Sequence, residues 1–579
     1  MFELAKYLKH FKKEVIFGPL FKLTEAIFEL IVPLIMAKII DIGIKNNDLS
    51  YILQQGGVLV LLGVIGLSCA LICQYFAAKA SQGFGTMVRN DLFAKINSFS
   101  HAEIDAIGTA SMINRINNDV NQLQVAVAML IRLIVRAPFL IIGATVMSMI
   151  LDWKLSLVFW IAAPLIAVTL FVVMGKSIPF YRVIQKKLDK IGLITHENLE
   201  GVRVIRAFCK QDSEKQRFAE AAEDVSDCAV RVARISAFLN PATYIIMNLA
   251  IVAIIWFGGM RVDSGALSQG QIIAFVNYMT QILLALVVVA NLVVIFTKAS
   301  ASAARVNEIF HLSPSLRENP KPLCEVSPSG DAPILEFKNV SFSYSNNGED
   351  ALQNISFRVR EGEHIGIIGG TGSGKSTLVQ LIPRFYDVTQ GEILLYGVNL
   401  KNYSFEALRR FIGTVPQKAV LFSGTIRENM EWGNANISDS EITEALRTAQ
   451  ALDFVERLDQ KYDAPVLQGG KNFSGGQRQR LTIARALAAH PSILILDDSS
   501  SALDYATEAA LSKAIRESSE PRTVITVSQR AHSIQDADRI IVLDDGVPAG
   551  IGTHENLMET CEVYREIVLS QQTKEEEIA

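Results

Sequence analysis

Cysteine is scarce in this 579-residue chain, and the few residues present do not cluster. Cys69, Cys73, Cys209, Cys228, Cys324 and Cys561 are scattered, and no spacing suits a zinc site or a disulfide framework. Cys69 and Cys73, one helical turn apart in an apolar run, read as packing residues. Free thiols suit a reducing compartment for the soluble parts. Net charge is small, at −4, and argues neither for nor against a nucleic-acid partner; none is expected. No cleavable signal peptide is evident, and no internal repeat recurs. Apolar residues, in contrast, make up half of the sequence. The mean hydropathy of +0.28 exceeds that of an average soluble chain. The length leaves room for two to four domains.

The apolar residues are concentrated before residue 300. Six stretches of spanning length lie near 15–40, 57–78, 125–150, 155–175, 239–259 and 272–297. Ahead of them, MFELAKYLKHFKKEV is basic and amphipathic. It is expected to lie on a membrane surface with Phe2, Leu4, Leu8 and Phe11 in lipid. Spans three and four are joined by a tight turn at Asp152-Trp153-Lys154, and spans five and six by Arg261–Gln269. The connections 79–124 and 176–238 are long, polar and helix-periodic, and carry Arg89, Lys95, Arg115, Lys186, Lys187, Lys190, Arg203, Arg206 and Lys210. The positive-inside rule places both in the cytoplasm with the two termini; a multi-pass protein is expected, with the bacterial plasma membrane as its place. Each connection is expected to turn at its far end, near 101–113 and 199–212.

Residues 312–333, rich in Pro and Ser, read as a linker. Beyond it short β-rich runs alternate with helical stretches, the pattern of an α/β domain. The boundaries expected are a membrane domain 1–311, the linker 312–333, an α/β domain 334–570 and a solvated tail 571–579.

The α/β part carries the chemistry. Residues 369–376 fit G-x-x-x-x-G-K-[ST], with a strand leading in and a helix leading out. Gly369, Gly370, Thr371, Gly372, Ser373 and Gly374 form a loop whose N–H groups can cradle phosphates, and Thr377 continues into the helix. Lys375 is expected on the β- and γ-phosphates of ATP, and Ser376 on Mg²⁺. In ILILDDSSSALD (493–504) an apolar run delivers Asp497, a second Mg²⁺-orienting carboxylate. Tyr344 is a candidate for stacking on adenine, with simple packing as the alternative.

NFSGGQRQR (472–480) resembles the signature of ATP-binding cassette (ABC) proteins. Gln417 in VPQKAVLFSGTIRENM and SALD at 501–504 extend the resemblance. The six spans, GTASMINRINNDV and ENLEGVRVIRAF resemble the membrane half of an ABC exporter and its cytoplasmic coupling regions. The resemblance covers nearly the whole chain. It implies an all-α six-span transmembrane domain followed by an α/β P-loop ATPase domain, and two such halves with two ATPs sandwiched between cassettes. Each ATP would sit on one chain's P-loop and be capped by the other chain's Ser474, Gly475, Gly476 and Gln477. Gln417 would join Ser376 and Asp497 at the metal.

Three departures cluster. Asp498 stands where the family has a catalytic Glu, Gln529 where it has a His on the γ-phosphate, and Gln468 where a Glu is expected. Phe473 replaces the signature's Leu. The Asp498 carboxylate is roughly 1.5 Å short of a Glu's, one C–C bond. A misplacement of ~1 Å can cost ~100-fold in rate. Gln529 can hydrogen-bond but carries no charge. The expectation is a degenerate site that binds ATP and hydrolyses it slowly or not at all; conservative drift with retained activity is the alternative. A heterodimer follows, in which this chain's signature completes a partner's competent site, with a homodimer as the alternative.

The first span holds Lys22, Glu25 and Glu29 on one helix face. They are candidates for a cavity that attracts cationic amphiphiles. An ion pair of Lys22 with Glu25 or Glu29, or snorkelling, is the plainer alternative. Arg132 and Arg136 in the third span could bind lipid headgroups or pair with those glutamates. Export of hydrophobic compounds is expected. A lipid flippase, a peptide exporter, a non-hydrolysing regulatory subunit and an ATP-gated channel are the alternatives.

Overall fold

The computed structural model describes residues 3–327, 332–344, 348–518 and 522–578, without the side chains of Arg182 and 572–578. Phe2, the linker segment 328–331 and the last residue of the expected tail lie outside the described residues. The chain divides into two compact units. One comprises Met1–Asn97 and Thr109–Leu312, and the other Ser98–Gly108 and Ser313–Ala579. The short segment before Thr109 therefore belongs with the α/β part.

The first unit is helical. Its elements are α1 (Lys12–Lys38) and α2 (Leu49–Asn97), then, after α3 (His101–Ile107) of the second unit, α4 (Thr109–Asn114), α5 (Val120–Leu133) and α6 (Arg136–Leu151). There follow α7 (Trp153–Glu200), α8 (Val202–Ala207), α9 (Gln211–Ala237), α10 (Leu239–Asp263) and α11 (Gln269–His311). Five stretches, Leu49–Asn97, Thr109–Leu151, Trp153–Glu200, Gln211–Asp263 and Gln269–His311, are long and apolar enough to cross a membrane. The sixth expected span is α1. Lys22, Glu25 and Glu29 fall in its middle and dilute its apolar character. At 1.5 Å per residue, α2 extends about 70 Å, far more than the ~30 Å of a bilayer core, so much of it must lie in water. Large apolar side chains such as Phe171, at 81% exposure, point outward, as a lipid-facing surface requires.

Proline and short-range caps set the breaks. α5 and α6 are separated at Ile134–Val135 because Pro138 has no N–H for the carbonyl of Ile134. Asp152 caps α7 by accepting from the Leu155 N–H (2.9 Å), and its other oxygen accepts from Arg261 Nε (2.6 Å). That carboxylate thus fixes both the expected tight turn and the end of α10. The amphipathic N-terminus differs from expectation. Glu3–Phe11 is a 3₁₀ helix, in which positions three apart eclipse. Leu4 and Tyr7 consequently share a face that is buried in protein rather than lipid, and the Tyr7 hydroxyl donates to Asp91 (2.7 Å). Phe11 also packs on the chain, its ring lying directly over Gly83.

Polar contacts tie distant helices together. The Tyr278 hydroxyl donates to the Leu30 carbonyl (2.8 Å). Asp119 accepts from Arg305 Nε (2.8 Å) and from Ser302 Oγ (2.9 Å). Asp41 accepts from Ser268 Oγ and from the Gly270 N–H (2.8 Å). Gly270 is a close-approach position, since a Cβ there would lie 2.4 Å from the Ala37 carbonyl oxygen.

The second unit holds two main sheets. β1 (Leu335–Phe342), β2 (Leu352–Val359), β4 (Gln390–Leu395) and β5 (Val398–Asn399) form an antiparallel sheet in the order β2-β1-β4-β5. The other strands that bear on the site are β3 (His364–Gly369), β6 (Ile412–Val415), β9 (Ile493–Asp497), β10 (Thr523–Val527), β11 (Arg539–Asp544) and β12 (Val547–Gly552), with β7 (Gly424–Thr425) and β8 (Pro465–Val466) as a separate short pair. Their order is β12-β11-β3-β10-β9-β6, parallel except for β12. Every residue of β9 is buried, which is why its sequence is a continuous apolar run rather than an alternating one.

The Gly270–Ala37 approach predicts that Gly270→Ala destabilises the membrane unit by about 1–3 kcal/mol. Gly259→Ala, with open space around its Cβ, should be neutral or slightly stabilising. Thermal unfolding of both variants in nanodiscs checks this, and equal melting temperatures would refute the close approach.

Candidate nucleotide site

Four adjacent parallel strands, β3, β10, β9 and β6, deliver one motif each at their carboxyl ends. This is the end of an open α/β sheet at which ligands bind. β3 runs into the glycine loop, and α12 (Lys375–Leu381) leads out of it. Gly372 and Gly374 have φ of +86° and +90°, a region that side chains disfavour. The loop therefore curls tightly, and the Ser373 N–H donates back to the Gly370 carbonyl (3.3 Å). Around Gly370 nothing lies within 4 Å of a Cβ position, which leaves room for a phosphate.

Lys375 is buried, and its Nζ donates to the carbonyls of Gly369 (3.0 Å) and Gly370 (2.6 Å). A phosphate oxygen has to compete with those carbonyls for the ammonium protons. Burial holds the Lys375 pKa below its usual value, against the opposing pull of Asp498 and Asp497. Ser376 Oγ donates to Asp497 Oδ1 (2.9 Å), joining α12 to the end of β9. Burial raises the Asp497 pKa; the Ser376 hydrogen bond opposes this, the charge of Asp498 adds to it, and Lys375 opposes it.

A Mg²⁺ ion fits these donors, one hydroxyl and one carboxylate side by side. Such an ion usually takes one or two carboxylates and completes its shell with phosphate oxygens and water. Among the described residues no group of three or more His, Cys, Asp or Glu could hold a metal unaided. Gln417, expected at the metal, lies just past β6, and its Nε2 donates to Asp498 Oδ2 (3.1 Å). Asp498 adopts φ +45°, unusual outside glycine but tolerated best by Asn and Asp. Its N–H donates to the Val527 carbonyl (2.9 Å), which anchors it to β10.

Gln529 follows β10 and is exposed. Its carbonyl accepts from Gln571 Nε2 (2.8 Å), and Gln571 Oε1 accepts from the Ala531 N–H (2.9 Å). Gln571 belongs to the helix Glu562–Ile578. A glutamine in a charged C-terminal run gives no sequence signal of this pin. Gln468 is exposed, at the start of the 3₁₀ turn Gln468–Gly470, whose last residue is buried. Tyr344 is 56% exposed and lies over α12, its hydroxyl sharing a hydrogen bond with Thr377 Oγ1 (2.9 Å).

Ser474 caps the helix Gly475–Leu487. Its Oγ accepts from the Gln477 N–H (3.3 Å), and Gln477 Oε1 accepts from the Ser474 N–H (2.9 Å). Phe473 is buried, its ring 6.3 Å from Phe454. The capped start leaves Ser474, Gly475 and Gly476 near the surface with donors available to an anion.

In the first unit, Lys22 Nζ donates to both oxygens of Glu25 (2.8 and 2.6 Å), and Arg136 pairs with Glu29 (2.7 Å). Gln281 Nε2 donates to the Glu29 carbonyl (3.2 Å). The two glutamates thus already have cationic partners from within the chain.

The fold and the loop define a nucleotide-binding cassette joined in one chain to a helical membrane domain. The ABC transporter transmembrane region matches residues 15–286, and the ABC transporter domain matches residues 352–501. The "Uncharacterized ABC transporter ATP-binding protein YfiB" of Bacillus subtilis is 38% identical over 95% of each chain. An ATP-dependent lipid A-core flippase of Syntrophus aciditrophicus is 33% identical over 84% of this chain and 81% of its own. The structure of a bacterial Atm1-family ABC exporter with ATP bound superposes with a TM-score of 0.79 at 25% identity, covering 97% of this chain and 98% of that one. The chain belongs to the ABC transporter family, and its architecture is that of an ABC exporter.

The elevated Asp497 pKa sets a pH dependence. A Mg²⁺ ion held by Asp497 would require the ionised carboxylate, so the Mg²⁺-dependent part of ATP affinity should then fall with falling pH, beginning above the ordinary carboxylate range. Titration of a fluorescent ATP analogue with and without Mg²⁺ reads this. In Asp497→Asn the Mg²⁺-dependent part should be small and flat with pH.

Proposed function

We propose that this chain is one half of a heterodimeric ABC exporter whose own ATP site binds nucleotide but is hydrolytically impaired. Asp498 and Gln529 carry this reading, because both alter groups that would serve the same ATP. Asp498 begins one C–C bond short of a glutamate, and Gln529 can accept or donate a hydrogen bond without a charge. The signature, capped by Ser474 and Gln477, is intact and serves the partner's competent site. ATP binding closes the two cassettes, and the turning segments pass this closure to the spans as alternating access. The protein sits in a bacterial plasma membrane with the cassette in the cytoplasm, supported by the basic residues of the two long connections.

The cargo proposed is a hydrophobic or amphipathic compound. A cationic head would be drawn to Glu25 and Glu29, exchanging places with Lys22 and Arg136. Lipid flipping is the second reading, and its support is the lipid A-core flippase name of a relative.

Purified alone, the chain should hydrolyse ATP near background while binding it. Asp498→Glu with Gln529→His should raise turnover by up to about 100-fold, the scale of a ~1 Å correction. Robust turnover by the unaltered chain alone would sink the degenerate site. Glu25→Gln with Glu29→Gln in the native complex should slow uptake of a cationic amphiphilic dye into inverted vesicles; an unchanged rate would discard the cationic cargo.

A further inference from the structure

The segment Ser98–Gly108 groups with the cassette unit, and its contacts show how. The His101 ring stacks on Phe385 at 4.6 Å, and the Tyr386 hydroxyl donates to Asp105 (2.9 Å). At the start of α3 lies a buried carboxylate, Glu103, 8% exposed. Its Oε2 accepts from the Ser100 N–H (2.8 Å) and from Ser100 Oγ (2.5 Å). Its Oε1 accepts from the N–H of Ser315 (2.9 Å), a residue of the linker. The Ser100 and Ser315 hydroxyls are 2.7 Å apart, which closes a ring. The linker then continues along the cassette: the Arg317 carbonyl accepts from Arg384 (3.0 Å), and Glu318 accepts from the Phe405 N–H (2.7 Å).

These contacts place two separate chain connections at one side chain. α3 lies between α2 and α4 in the chain, and Ser315 follows four residues after the end of α11 at His311. We propose that Glu103 is a positioning residue for energy coupling: it makes the tip helix and the linker move as one body, so that a cassette displacement reaches α2, α4 and α11 together. The inference rests on the ATP-driven exporter reading and names a residue on which its coupling depends.

Both oxygens of the carboxylate act as acceptors, which a glutamine cannot reproduce. Its NH₂ would face a donor at either Ser100 or Ser315. Burial pushes the Glu103 carboxyl up, but hydrogen bonds from Ser100 and Ser315 bring its pKa below the usual value, so it is ionised at neutral pH.

The test uses the native complex in nanodiscs, with Cys209 and Cys324 of this chain changed to Ser. A cysteine is introduced at exposed Ala266, in the turn between α10 and α11. ATP-dependent change in its labelling by a hydrophilic maleimide reports movement at the far end of the spans. Glu103→Gln should retain ATP affinity within about twofold and lose about fivefold or more of that change, the lower end of ordinary coupling between sites. Ser315→Ala, which keeps the N–H, should lose less, and Ser315→Thr should behave as the native chain. Hydrogen exchange at the Ser315 amide should quicken in Glu103→Gln. Native ATP-dependent labelling in Glu103→Gln would overturn the proposal, as would parallel loss of ATP affinity and labelling. A native chain whose labelling ignores ATP would overturn the exporter reading and this inference with it.

Discussion

The hydrogen bond from Ser376 Oγ to Asp497 Oδ1 joins the start of α12 to the end of β9. β10 lies between β3 and β9 in the sheet, so the bond reaches past one strand. It forms only if the parallel register brings both strand ends level. The buried apolar residues of β9 supply that register, and β10 pairs with both neighbours in step. Once the ends are level, Lys375, Asp498, Gln417 and Gln529 reach the same rim without further adjustment. The chemistry of the cassette is therefore a consequence of sheet packing rather than of any one loop.

Charge in the membrane unit is handled by the opposite strategy. Where the cassette gathers polar groups at an open edge, the first unit neutralises its ions in pairs. Lys22 with Glu25 and Arg136 with Glu29 each bring together opposite charges within the expected spans. An unpaired ion at bilayer depth costs a few kcal/mol. Pairing removes most of that cost and gives the helices specific partners, since apolar surfaces alone do not choose among neighbours in lipid.

The nucleotide loop was legible because its function is written in eight consecutive residues, with strand and helix context on either side. Asp497 was legible for the same local reason. The break before α6 follows from Pro138 and could have been read from the sequence. The burial of Leu4 could not, because a 3₁₀ turn and an amphipathic α-helix share similar local sequences. The placement of α3 was beyond sequence reading for a different reason. Its turning character was visible near 101–113, but Phe385, Tyr386 and Ser315 lie more than 200 residues away. Asp498 and Gln529 were conspicuous only against a family pattern; by themselves they are ordinary polar residues at strand ends.

Gln571 gives the terminal helix a meaning beyond packing. Its amide forms a two-bond clasp on the backbone at Gln529 and Ala531, so the position of the loop after β10 depends on a residue in this helix. A fusion partner or affinity handle attached there is mechanically linked to that loop. Handles for purification and imaging are accordingly better carried on a surface remote from this helix.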